Sequence, residues 1–83
     1  MIKNFEDYID INPKVMLGKP IIKGTRITVE LILEKTAYGY DVNDILRAYP
    51  HLTREKILAA YAFALQSFQT DVFYSNVPKS LAA

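Results

Sequence analysis

Gly18-Lys19-Pro20-Ile21-Ile22-Lys23-Gly24-Thr25-Arg26-Ile27-Thr28-Val29 is the stretch whose reading decides the fold. Two β-branched runs, Ile21-Ile22 and Arg26-Ile27-Thr28-Val29, flank the three-residue link Lys23-Gly24-Thr25, the pattern of a hairpin. A preceding run, Val15-Met16-Leu17, is closed by Gly18-Lys19-Pro20. Gly24 supplies the positive φ that the link needs. Pro20 confines its strand to an edge or to the strand's first residue. Thr28 then caps a helix, because its hydroxyl can accept from a free amide of the first turn. Extended chain therefore passes directly into helix.

Downstream, the pattern becomes helical. Val29, Ile32, Leu33 and Thr36 form one stripe, Glu30 suits the positive helix end, and Gly39 is a stop in the left-handed region. Asp41 caps a second helix whose buried stripe is Val42, Ile45, Leu46 and Tyr49. Its Asp44 and Arg47 suit the dipole and can pair, and Pro50 ends it. Thr53 caps a third, which runs to about Gln69 with the stripe Ile57, Ala60, Tyr61, Ala64, Leu65 and Phe68. Upstream, Met1 to Ile11 reads as a short helical turn leading into a strand, followed by a turn at Asn12-Pro13. The reading is one domain over 1–83, with a hairpin region at 9–29, a three-helix core at 29–69 and a tail at 70–83. The fold class is mainly α, a trihelical helix-turn-helix-like core with a small N-terminal β-hairpin.

Composition narrows the function. The chain has 83 residues, 51% of them hydrophobic, with six Tyr and four Phe, which is globular composition for one domain. A domain of this length buries only about 60–65% of its unfolded surface, so association with a second copy or a partner would stabilise it. No cysteine is present, which excludes disulfides, thiol catalysis and Cys-based zinc sites and fits a reducing cytoplasm. No apolar run approaches the roughly 18 residues of a membrane span, and the acidic N-terminus is unlike a signal peptide. Between Asp10 and Glu30 there is no acid, but there are Lys14, Lys19, Lys23 and Arg26. Since the whole chain carries +1, this +4 block leaves −3 on the remainder. The block is either a phosphate-facing surface or a solvated hairpin with lysines guarding its edge.

Catalytic chemistry finds little support. Gly18-Lys19 and Gly24-Thr25 lack the spacing of a phosphate loop. His51 is the lone histidine and sits in a turn without a neighbouring nucleophile. Glu30 and Glu34 share a helix face, where solvation is a simpler role than metal binding. No enzyme activity, metal or cofactor is expected.

Three helices of about eleven, eight and sixteen residues, joined by short turns, resemble the trihelical core of helix-turn-helix domains. Facing away from the main stripe of the third helix are Glu55, Lys56, Ala59, Ala62, Phe63 and Gln66, of which only Lys56 and Gln66 are natural base or phosphate readers, while Ala59, Ala62 and Phe63 look more like the packing surface of a buried or dimer-forming helix. On the first helix, Leu31 and Tyr38 lie opposite the main stripe, and a helix apolar on two faces is usually covered twice. Leu31, Tyr38 and Phe63 are therefore candidate protein-interface residues, along with Phe73 and Tyr74 of the tail, which could fold onto a partner or back onto the domain.

These elements together resemble the domain-of-unknown-function 433 family. The resemblance rests on Ile11-Asn12-Pro13, Gly18-Lys19-Pro20-Ile21-Ile22, Gly24-Thr25-Arg26-Ile27, Gly39-Tyr40-Asp41, Ile45-Leu46 and Tyr49-Pro50-His51-Leu52-Thr53. It covers roughly Ile9 to Gln69. The family commonly has Asp-Pro where this chain has Asn12-Pro13, and both make the same turn. The resemblance implies a homeodomain-like helix-turn-helix fold and a VapB-type antitoxin that binds a PIN-like ribonuclease toxin and its own promoter DNA. On that reading Lys19, Lys23 and Arg26, then Arg54 and Lys56, are the candidate DNA contacts, and a homodimer is the expected state. The alternative is a protein-interaction or dimerisation module that never touches DNA.

Overall fold

The computed structural model describes residues 4–69. A 3-10 turn at Phe5–Asp7 leads into strand β1, Ile9–Asp10, which pairs antiparallel with β2, Ile21–Ile22. The register sets Ile9 against Ile22 and Asp10 against Ile21. Three helices follow: α1, Val29–Ala37; α2, Val42–Ala48; and α3, Arg54–Ser67. The architecture is thus mainly α with a small N-terminal two-stranded sheet, as the sequence implies.

Each helix starts where a side chain can satisfy its free amides. Thr28 Oγ1 accepts from Leu31 N at 2.9 Å, and Thr53 Oγ1 from Lys56 N at 3.3 Å. Asp41 and Asp44 form a reciprocal capping box, each carboxylate accepting from the other's backbone N–H at 2.8 and 3.0 Å. Gly39 terminates α1 with φ +98°, a conformation only glycine adopts without strain. The Asp41 N–H, followed by the Arg47 guanidinium beside it, holds the Asp44 carboxyl below the usual carboxylate range.

The core sits where α1, α2 and α3 meet the strands. Ile22, Ile32, Ile45 and Ile57 are fully buried, one from β2 and one from each helix. Thr36 Oγ1 and Tyr61 Oη share a 2.6 Å hydrogen bond that ties α1 to α3.

Three expectations are corrected. Val15-Met16-Leu17 is not a strand: Asn12 opens a series of tight turns that reverse the chain before it can extend, and β2 pairs with Ile9–Asp10 instead. Of the extended run 26–29, only the single bridge between Ile21 and Thr28 forms, because Val29 is already helical. On α1, Leu31 packs against the core while Leu33 is exposed.

The buried face of α3 is also shifted. Ala59 and Ala62 are buried, and Phe63 packs against the core with its ring edge-on to Phe5 at 5.9 Å, whereas Leu65 and Phe68 are exposed. The Phe5–Asp7 turn packs on α3, with Phe5 against Phe63, so Ala59, Ala62 and Phe63 form the packing surface that their residue types suggest. Leu31 and Phe63 therefore do not form the second exposed apolar face expected of them.

Candidate functional site

The basic segment contains two turns of different construction. At the first, Val15 N donates to Asn12 O at 2.9 Å, Gly18 N to Val15 O at 3.0 Å and Lys19 N to Met16 O at 3.1 Å. Met16, Leu17 and Gly18 take φ values of +50°, +59° and +77°, three successive residues in the left-handed region. That region disfavours a non-glycine residue by roughly 1–2 kcal/mol. Burial does not offset this at Leu17, which is 93% exposed. A leucine is held in solvent on a backbone that resists holding it there. Strain kept at a surface position is a marker of a functional contact.

The second turn is relaxed. Gly24 takes φ +80°, Thr25 Oγ1 donates to Ile22 O at 2.7 Å, and Ile27 N donates back to Thr25 Oγ1 at 3.0 Å. Lys23 and Arg26 flank it with exposed side chains, and neither has an ion-pair partner among the described residues. Lys19 differs: its ammonium meets Glu30 Oε1 at 2.7 Å. Glu30 is thereby occupied by a cation from the loop. Arg54 is exposed at the first position of α3, and Lys56, two residues on, is half-buried.

A groove of about 440 Å³ lies between the loop and two helices. Pro20, Val29 and Leu33 form one wall, Phe63, Ala64, Ser67 and Phe68 the other, and the Lys19–Glu30 pair completes the lining. Its surface is almost wholly apolar apart from that pair. Phe63 thus contributes to a surface after all, as a wall of this groove.

The corner between α1 and α2 presents Tyr38, 77% exposed, beside Tyr40, whose ring lies 5.2 Å from the Lys35 ammonium. With Asp44 and Arg47 they line an open depression of mixed polarity. Of the expected interface residues, Tyr38 is exposed, Leu31 and Phe63 are half-buried, and Phe73 and Tyr74 lie outside the described residues. His51 is exposed in its turn. Among the described residues no cluster of three or more His, Asp or Glu is placed to hold a metal ion.

Leu17, Leu33 and Phe68 were not singled out as surface residues by the sequence. The close punctuation by Pro13, Gly18 and Pro20 was the available signal for Leu17. The other two depend on which face of a helix a distant segment covers, and no local signal reports that.

Fold and surface together define a small helix-turn-helix-like domain with a basic hairpin turn and a strained apolar loop. The family of proteins of unknown function DUF433 matches residues 9–64, and the chain belongs to that family. It is 33% identical over 58 residues to an uncharacterized protein of Sinorhizobium fredii. That match covers 70% of this chain and 26% of the relative, so this chain spans about a quarter of the relative's length. The crystal structure of a DUF433 member from Anabaena variabilis is similar with a TM-score of 0.73 and 31% identity, over 77% of this chain and 63% of that one. Among the described residues no helix is long and apolar enough to cross a membrane.

Proposed function

We propose that this chain is a non-catalytic, antitoxin-like protein of a type II toxin-antitoxin system, acting in the cytoplasm by direct binding of a PIN-like ribonuclease toxin. One observation carries the protein-binding half: Leu17, 93% exposed on a left-handed turn that its side chain disfavours. A protein partner can bury this side chain and recover about 1.5–3 kcal/mol. The toxin as partner follows from the family resemblance. The composition of α3 supports the same half: of its side chains only Arg54, Lys56 and Gln66 are of the cationic or amide kinds that most often read base edges.

A second activity, binding of the chain's own promoter DNA, is favoured by Lys23 and Arg26. They stand exposed on either side of Gly24 without a carboxylate partner among the described residues. Such cations neutralise phosphates and make affinity fall steeply with salt.

Co-expression with a PIN-like protein encoded beside this chain tests the first half. The expected outcome is a co-purifying complex with suppressed ribonuclease activity, and loss of the complex with Leu17→Asp. An active ribonuclease that ignores this chain defeats the reading. A gel shift on upstream DNA tests the second half. The shift should weaken with salt and vanish in a Lys23→Glu, Arg26→Glu double variant that retains native helicity. A shift unaffected by that variant removes the hairpin turn from the DNA reading.

A further inference from the structure

We infer that the groove between Pro20, Leu33 and Phe68 is the interface between two copies of this chain. Its centre is apolar and its exposed parts are large: Leu33 from α1 and Phe68 at the end of α3. Its edge carries one positive and one negative side chain, Lys19 and Glu30, both substantially exposed. That combination fits a second copy better than a partner of one dominant charge. A two-fold interface brings the same patch together with itself, so it must be self-complementary. A neutral patch bearing one cation and one anion meets this condition. Rotation by 180° can set Lys19 of each copy opposite Glu30 of the other, and no like charges need meet.

Most of the groove's walls come from α1 and α3, which Thr36 and Tyr61 tie together, so the patch is preformed and association requires little reordering. The gain is greatest for a domain of this size, whose own core leaves a thin margin of stability. Two copies joined here pack Leu33 and Phe68 at the centre and exchange the Lys19–Glu30 pair across the edge. The Leu17 turn and the Lys23-Gly24-Thr25 turn contribute no residue to the groove lining, so a dimer formed here leaves both turns open and, of the candidate DNA contacts, draws only on Lys19.

Sedimentation of the full chain over a range of concentrations, with no partner present, tests this separately from toxin binding. A concentration-dependent monomer–dimer equilibrium is expected. Phe68→Glu should weaken it about tenfold or more, as loss of a central aromatic anchor does, while circular dichroism shows retained helix. The decisive arm is a charge exchange. Lys19→Glu alone and Glu30→Lys alone should each weaken self-association, since each places like charges face to face. An equimolar mixture of the two should restore it as a mixed dimer, because the cross-copy pairs are then oppositely charged. A wild-type chain that stays monomeric at high micromolar concentration overturns the inference, as does a Phe68→Glu chain that dimerises like wild type. A mixture no tighter than either variant alone overturns the pairing across the edge. None of these outcomes depends on whether a toxin is bound.

Discussion

The turns at Met16-Leu17-Gly18 and Lys23-Gly24-Thr25 lie in one basic segment and reverse the chain by opposite means. At the second, the unusual backbone falls on glycine, and the Thr25 hydroxyl bridges Ile22 and Ile27, two core residues. At the first, the unusual backbone falls on methionine and leucine, and Leu17 projects into solvent. One turn is built for the fold, with its conformation, hydrogen bonds and neighbours all agreeing. The other holds a local conflict that nothing among the described residues resolves. Local conflict of this kind tends to mark function in a chain that is otherwise consistent. Both turns lie within the residues matched to the family, yet only the first presents a large apolar side chain.

The largest effect tests how firmly the second turn is anchored. Ile22 is fully buried and immediately precedes it. Ile22→Ala should destabilise the chain by about 2–5 kcal/mol, measured by urea unfolding, because the truncation leaves a cavity among well-packed neighbours. A loss under about 1 kcal/mol would mean that the strand pair is peripheral and the contrast between the turns is overstated.

The next two substitutions form an opposed pair. Gly24→Ala should lower stability by about 1 kcal/mol, purely through the backbone, since a Cβ there would meet nothing within 4 Å. Leu17→Gly should leave stability unchanged or raise it by up to about 1 kcal/mol, as glycine relieves the left-handed strain. In a domain of this size that change moves the melting temperature by roughly 4–8 °C. The same Leu17→Gly chain should lose affinity for its protein partner. If it is both less stable and fully competent in binding, Leu17 serves the fold and the comparison fails.

The second turn was legible in the sequence and the first was not. Lys23-Gly24-Thr25 announces itself by residue type, as do the caps Thr28, Asp41 and Thr53, because each acts on amides within three residues of itself. Val15-Met16-Leu17 reads as a strand by composition, and no residue type there signals left-handed backbone. The face of α1 was misjudged, and the stripe of α3 extended too far to Leu65 and Phe68, for another reason. Periodicity shows that a helix has an apolar side, but α3 is also covered by Phe5, more than fifty positions upstream. The same limit applies to the candidate site. Lys23 and Arg26 were found from charge alone, whereas the groove joins Pro20, Leu33 and Phe68 through tertiary packing that spacing does not report.

The smallest effect concerns the α1–α2 corner, which uses the same device as the Gly24 turn, side-chain hydrogen bonds to nearby backbone, but with an exposed charge. Asp44 accepts from the Asp41 N–H and faces Arg47, and its pKa is lowered in the folded state. A carboxyl with a lowered folded pKa contributes stability that is present above its unfolded pKa and is lost as pH falls through the folded value. Wild-type stability should therefore decline as the pH is taken down through the acidic range, and Asp44→Asn should flatten part of that decline by lowering stability slightly near neutrality, where the carboxylate is charged, and not in acid. Exposure keeps the contribution small, since solvent and salt screen the Arg47 attraction. Added salt should accordingly narrow the difference between wild type and variant, while leaving the opposed effects of Gly24→Ala and Leu17→Gly in place, because those arise from backbone conformation and carry no charge. A salt-insensitive effect at Asp44 would assign the lowered pKa to the Asp41 N–H alone and leave Arg47 as a bystander at that corner.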